Sequence, residues 1–377
     1  MKKIAVIGGG TSGLSASYQI KKNHPNYEVF LIEKDTQLGK RIKVSGNGRC
    51  NLLNAHISEK DYYHGDLIKS VLNYFSVYQE DFFASLNLHL YQDEEGRVYP
   101  ITNSSLTVQK AFITALKKNK VIIKYNEKYQ SLENKNNKLL LTTNQETYLV
   151  DEVIFATGGA SYLYSEEDYY QIINSLDSSL KINKLTPILC PLKVKEKVFK
   201  EAIGKRSKAL VNIFKEDQLI FSEKGEILFK KDGVSGIVIF NASRYITDNK
   251  LYTLKINFIP EVKRKTIEDE LKHFSKEEVV ESYVEESIAK MILTRYKDVY
   301  QGLSEFTLEI IGTYSLKDSQ VTRGGISLEE VNLDDLSWKK DSRIHFVGEM
   351  LDVDGKCGGF NMYFALASGF LAGNKID

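Results

Sequence analysis

The first forty residues constrain this chain more than any other stretch. Lys3-Ile4-Ala5-Val6-Ile7 is a short apolar run of the kind that forms a buried parallel strand. It breaks at Gly8-Gly9-Gly10-Thr11-Ser12-Gly13, which satisfies G-x-G-x-x-G. Leu14 to Lys22 reads as a helix, and Glu28 to Ile32 as a second strand that ends at Glu33. In such a βαβ unit Gly8 permits the tight turn, Gly10 lets backbone approach a pyrophosphate, and Gly13 allows close packing of helix on strand. The free N–H groups of Thr11, Ser12 and the rest of the first turn then face phosphate at the positive end of the helix. Glu33, about 20 residues past Gly13, is placed to accept hydrogen bonds from ribose hydroxyls and would repel an NADP phosphate. Dinucleotide binding follows.

What comes next favours a longer dinucleotide than NAD. Lys34 and then Gly39-Lys40-Arg41 follow the second strand, where a basic loop can reach phosphate. Ser45-Gly46-Asn47-Gly48-Arg49-Cys50-Asn51 is dense in glycine and amide side chains. From these residues onward the sequence resembles the BaiN-type, aminoacetone-oxidase-like NAD(P)/FAD-dependent oxidoreductases, which have a glutathione-reductase-like FAD fold. The stretch from Lys43 to Asn51 looks like that family's S-G-x-G-R-C-N loop, and Gly96 to Pro100 like its G-R-x-[FY]-P segment. Ala156-Thr157-Gly158-Gly159 resembles the second dinucleotide loop, and Pro187 to Leu192 the segment P-x-L-x-P-L that leads into an insert.

The carboxyl end carries the most specific likeness. Gly348-Glu349, Leu351-Asp352-Val353-Asp354-Gly355 and Gly358-Gly359-Phe360-Asn361 are similar to the family's G-E-x-L-D-x-x-G-x-x-G-G-[YF]-N motif. The resemblance implies that this strand returns to the FAD domain and that its acid binds the ribityl chain. It also implies that the following helix points its N-terminus at the flavin pyrimidine, where it favours negative charge. Val321 to Ile326 resembles a V-T-x-G-G-V segment beside the flavin.

The fold class expected is therefore α/β: a Rossmann-type, glutathione-reductase-like FAD-binding domain interrupted by a β-rich, barrel-like and then helical insert. The FAD domain is expected over residues 1–189 and 322–377, the β-rich insert over 190–258 and the helical part over 259–321. A length of 377 residues suits two or three such pieces. Val121-Ile122-Ile123 and Leu139-Leu140-Leu141 suggest a small β-meander feeding the strand before Thr157, and Ser275 with Glu278 a capping box. Asp232 to Ile237 departs from a family H-x-G-x-S-G-P pattern; it either lines the substrate pocket or, as preferred here, only turns the chain.

Composition excludes several classes. A formal net charge of +1 gives no global field for nucleic acid or anionic lipid, so neither is expected as a partner. The lysine clusters between Lys193 and Lys208 keep RNA retardation worth testing. The three cysteines, Cys50, Cys190 and Cys357, form no C-x-x-C pair, which argues against a disulfide framework and a dithiol mechanism. Neither they nor the six histidines have metal-ligand spacing, so no metal is expected. No apolar run approaches the roughly 20 residues that span a bilayer, and no signal peptide is visible, so the expected location is the cytoplasm.

Cys50 reads as a small buried residue. Arg49 and Arg323 are the two catalytic candidates, either orienting an anionic or carbonyl substrate or anchoring the fold through ion pairs. Tyr162 and Tyr164 follow the second loop as pocket walls or plain packing. No second G-x-G-x-x-G is present, so NADH or NADPH would dock transiently. The expected activity is hydride transfer through flavin N5 to or from a small organic substrate, with NAD(P)H as donor and a pocket between insert and flavin. An oxidase that uses oxygen and a flavin-dependent RNA-modifying enzyme stay open as alternatives, although RNA-acting relatives are expected to match only the nucleotide domain.

Overall fold

A computed structural model describes residues 1–162, 165–197, 200–248 and 250–377; the Tyr164 assignment lies outside the described residues. They divide into two compact units, Met1–Thr186 with Val321–Asp377, and Pro187–Gln320.

The first unit is built on a six-stranded sheet. Its spatial order is Ser337–Trp338, Asp341–Phe346, Glu152–Phe155, Lys3–Ile7, Glu28–Ile32 and Ile122–Lys124. The last five run parallel, and Ser337–Trp338 pairs antiparallel at one edge. The strand order reverses at Lys3–Ile7, so the crevice beyond its carboxyl end is the place where such sheets bind ligands. Being buried on both faces, the central strands are continuous apolar runs: Ile4, Val6, Leu31 and Phe155 have no more than traces of exposure.

The expected meander needs correction. Ile122–Lys124 joins the edge of the parallel sheet beside Glu28–Ile32. The meander itself is Tyr129–Lys135, Lys138–Thr143 and Thr147–Val150. Its first turn, Asn136-Asn137, has both residues at positive φ (49° and 61°), the hairpin geometry that matches strand twist and that asparagine tolerates. Sequence alternation could not separate the two roles, because an edge strand of a parallel sheet and a hairpin strand share the same short apolar pattern.

The helix Thr11–Asn23 and the final helix, Phe360–Lys375, pack at backbone distance. A Cβ on Gly369 would lie 2.1 Å from the Ser12 carbonyl oxygen, and one on Gly373 2.6 Å from that of Ala16. Those glycines let the carboxyl terminus press against the phosphate-turn helix.

The second unit contains a closed six-stranded barrel. Around it run Leu192–Val194, Gly233–Ser235, Gln218–Lys230, Arg206–Lys215, Tyr252–Asn257 and Phe306–Thr313. Phe229, Tyr252, Leu254, Ile256 and Phe306 fill its core. Four short helices, Arg264–Glu270, Lys276–Glu281, Glu286–Arg295 and Val299–Ser304, lie between the fifth and sixth strands in chain order. The Ser275–Glu278 capping box starts the second of them. The segment expected as a turn, Asp232 to Ile237, instead supplies barrel strand Gly233–Ser235 and the start of helix Ile237–Ser243. Its glycines serve close approach: a Cβ at Gly233 would meet the Leu192 carbonyl oxygen at 2.0 Å.

Candidate functional site

The G-x-G-x-x-G turn is held by its own backbone. Gly8 has φ 103°, and a Cβ there would lie 2.5 Å from the Ala156 carbonyl oxygen. Gly13 is fixed by the turn itself, since its Cβ would lie 1.9 Å from the Gly8 oxygen. Gly10 differs: a Cβ there would meet only the Ala156 oxygen, at 4.0 Å. The protein does not need glycine at Gly10, whereas a pyrophosphate lying against the backbone does. Thr11 and Ser12 are buried at the helix start.

Glu33 is buried, and its two carboxylate oxygens accept from the N–H of Gly9 (2.7 Å) and of Asp35 (2.9 Å). Burial raises its pKa, partly offset by those two N–H donors. Gly9, which sequence reasoning passed over, is needed for this seat, as its Cβ would lie 2.2 Å from Leu38 and 2.9 Å from the carboxylate. Gly8, Gly10, Glu33, Lys34, Thr157 and Gly158 line one narrow cleft at the carboxyl ends of the central strands. Lys34 and Lys128 both pair with Asp168 at its rim (2.7 and 2.8 Å), and these partners hold the Asp168 carboxyl below its usual range. Lys128 and Asp168 carry no motif and were not found from sequence. Thr157 donates to Met350 Sδ (3.2 Å), and Gly158 sits at φ 78° with open space where a side chain would be.

The basic loop does not present free cations. Gly39 is left-handed (φ 68°), Lys40 pairs with Asp35 (2.6 Å), and Arg41 bridges Glu349 and Ser161. Glu349 also accepts from the Thr322 N–H (2.8 Å) and the Ser161 hydroxyl (2.9 Å). The expectation that Arg41 reaches phosphate and Glu349 the ribityl chain therefore meets a mutual ion pair. The reason is local: Glu349 follows Gly348, whose φ of 67° and N–H bond to Ser368 Oγ (2.9 Å) fix the turn.

Residues 45–51 form a chain of left-handed positions, Gly46, Asn47, Gly48 and Cys50, with φ between 55° and 83°. Ser45 Oγ ties the loop back to the Ile42 carbonyl (2.8 Å). Arg49 is exposed and stacks on Tyr99 at 4.8 Å. Cys50 is fully buried, and burial pushes its thiol up to about 12, so it remains a thiol at neutral pH. Asn51 Oδ1 is buried without a hydrogen-bond partner among the described residues.

The carboxyl-terminal motif closes on this loop. Gly358 and Gly359 have φ of 123° and 104°, and a Cβ on Gly359 would lie 2.5 Å from Leu53 C and 2.9 Å from Asn51 Oδ1. Phe360 is buried, and the Asn361 side chain bonds both the N–H (2.8 Å) and the carbonyl (2.9 Å) of Gly355, fixing the approach to the final helix. Asp352 is nearly inaccessible: it accepts from the Gly324 N–H (2.8 Å), Asn183 Nδ2 (2.7 Å) and His64 Nε2 (3.3 Å). Arg323 is pinned by Asp354 through Nε (2.6 Å) and Nη2 (3.0 Å) and covers the Tyr63 ring at 4.4 Å. Among the two arginine candidates, Arg323 thus takes the ion-pair role while lining an open cleft; Arg49 does not line that cleft.

These residues fit FAD. Gly10 leaves room for a group against the backbone, and Asn51 Oδ1 is an acceptor lacking a donor. Two helix N-termini, at Thr11 and Phe360, supply positive ends for phosphate and for a flavin that gains electrons.

A model of the family described as the HI0933-like protein Rossmann domain matches residues 2–375, and the chain belongs to that family. A 3-dehydro-bile acid delta(4,6)-reductase of Clostridium scindens is 28% identical over 406 aligned residues, covering 99% of this chain and 98% of that protein. A ribosomal RNA dihydrouridine synthase of Escherichia coli is 22% identical, covering 98% of this chain and 97% of that protein. RNA-acting relatives thus reach beyond the nucleotide domain, contrary to the expectation from sequence. Among solved structures, the open conformation of a flavocytochrome c3 fumarate reductase superposes with a TM-score of 0.54 at 13% identity, over 99% of this chain and 77% of that chain. The fold is the Rossmann-type FAD-binding fold with a closed barrel insert, and the chain is a flavin-dependent oxidoreductase. Among the described residues no helix is long and apolar enough to cross a membrane.

Proposed function

We propose that this family member is an FAD-dependent reductase that takes a hydride from NADH or NADPH and delivers it through flavin N5 to an activated carbon–carbon double bond of a small organic substrate. The observation that carries the reading is the glycine-built cleft around Gly10 and Glu33, in a chain whose full-length relatives include a delta(4,6)-reductase. Bound FAD would supply two-electron chemistry, and the protein supplies position and charge.

The chain's own residues account for that supply. Glu33, oriented by Gly9 and Asp35, would hold the ribose hydroxyls and disfavour a phosphate there. Asn51 Oδ1 would accept a hydrogen bond from the cofactor, relieving a buried acceptor that otherwise costs about 1–3 kcal/mol. The 16-residue final helix directs its positive end at Gly359, which favours an anionic reduced cofactor. The proposed location remains the cytoplasm, with no membrane or nucleic-acid partner.

An anaerobic absorbance titration tests this. Purified protein should show an oxidised flavin spectrum that bleaches with NADH or NADPH. An oxidised flavin that neither nucleotide bleaches would remove the nicotinamide link, and colourless protein unable to take up FAD would overturn the cofactor. The full-length likeness to a ribosomal RNA dihydrouridine synthase supports a second reading, RNA modification. Dihydrouridine formed in a ribosomal RNA transcript would establish it in place of the first.

A further inference from the structure

We propose that His64, paired with Asp352, is the general acid that protonates the substrate in the cleft beside Arg323. The inference rests on the reductase reading above and deepens it. A hydride added to one carbon of a polarised double bond pushes the π electrons toward the carbonyl. The neighbouring carbon must then take a proton, and a reductase gains rate by holding a donor for it.

The cleft of about 460 Å³ is lined by Tyr63, His64, Asn183, Arg323, Gly324 and Asp352, among others. His64 is a partly exposed imidazole between a buried carboxylate and this open space. Its Nε2 lies 3.3 Å from Asp352 Oδ2, while Nδ1 makes no hydrogen bond among the described residues. Asp352 is held in place, because the Gly324 N–H donates to Oδ1 and Asn183 Nδ2 donates to Oδ2, the oxygen that His64 also faces. A carboxylate on one ring nitrogen that leaves the other for a ligand is the arrangement that orients histidine for proton transfer.

The backbone is committed to the same end. His64 has φ 58° and ψ 25°, a left-handed conformation that few residues other than glycine adopt, at the start of helix Gly65–Ser85. The conformation is locked on both sides. Tyr63 N–H bonds the Asp354 carbonyl (2.8 Å), and a Cβ on Gly65 would lie 1.7 Å from the Glu59 carbonyl oxygen.

The other groups facing the cleft are committed elsewhere and serve less well as donors. Arg323 stays protonated and is pinned by Asp354, which suits it to orient a carbonyl oxygen. Lys181 is paired with Glu329, Lys184 is exposed, and the Tyr63 ring lies under Arg323. In the step, the nicotinamide is the reductant and its hydride ends on the β carbon. The His64 Nδ1–H bond breaks, a C–H bond forms at the α carbon, and the neutral imidazole regains a proton from water.

The test uses holoenzyme whose flavin is reduced anaerobically with dithionite, then mixed with 2-cyclohexen-1-one or a 3-oxo-Δ4 steroid while flavin reoxidation is followed. His64→Asn keeps a residue that tolerates the left-handed conformation but cannot act as an acid. It should retain flavin content and thermal stability and slow reoxidation roughly a hundredfold or more. His64→Gly should recover part of the lost rate with added imidazole, which a purely structural role would not allow. Equal rates in wild type and His64→Asn would overturn the proton-donor role alone. A wild-type flavin that neither enone reoxidises would overturn it together with the double-bond reductase reading.

Discussion

The two units of this chain differ in how deeply their least exposed ion pairs are set. Around its candidate site the nucleotide unit sinks two ion pairs into the protein: the Asp354 side chain has no exposure and its partner Arg323 is 15% exposed, while Arg41 and Glu349 are 20% and 16% exposed; away from the site its pairs, such as Lys181–Glu329, stand in water. In the barrel unit Lys224–Glu261, Arg206–Glu226 and Lys205–Glu285 stand in water. The barrel instead takes its stability from Phe229, Tyr252, Phe306 and the aliphatic residues around them. A buried pair is a costly way to stabilise a fold, since desolvation offsets most of the Coulomb gain. Its presence around Gly324, Asp352 and Glu349 is the mark of a site whose geometry must be fixed before a ligand arrives.

The largest effect is expected at the most buried pair, Arg323–Asp354. Asp354→Ala removes the buried carboxylate that pins Arg323 and should cost about 3–5 kcal/mol in urea unfolding. A loss near 0.5 kcal/mol would show that the buried pair is no more important than a surface one. Gly10→Val separates what the cofactor needs from what the fold needs. With nothing but an oxygen at 4.0 Å from its Cβ, the substitution should cost the fold about 1 kcal/mol or less while weakening FAD affinity at least tenfold, read by flavin fluorescence. A large stability loss with unchanged affinity would mean that Gly10 serves the protein, like Gly8. At the small end, Glu226→Gln removes one partner of an exposed pair and should move stability by no more than about 0.5 kcal/mol.

The identity of the nucleotide unit was legible because its turn depends on local backbone. Gly8, Gly13 and Gly359 are required by contacts or conformations that only glycine accepts, so the motif writes itself into the sequence. The strands Lys3–Ile7 and Glu28–Ile32 were equally plain, since burial on both faces leaves a continuous apolar run. Asp352 and Arg323 were noticed for their motifs, but not for what they touch.

What sequence determined, then, was the presence of a dinucleotide turn, the acid Glu33 that follows it, and the barrel-like alternation of the insert. Tertiary structure decided which charges neutralise one another: Arg41 with Glu349, 308 residues apart, and Lys34 with Asp168, 134 apart. It also set Asp352 behind His64, although 288 residues separate them. The physical reason is range. A glycine turn is enforced by atoms a few bonds away, whereas the partner of a charge depends on which distant segment the sheet and its helices bring alongside.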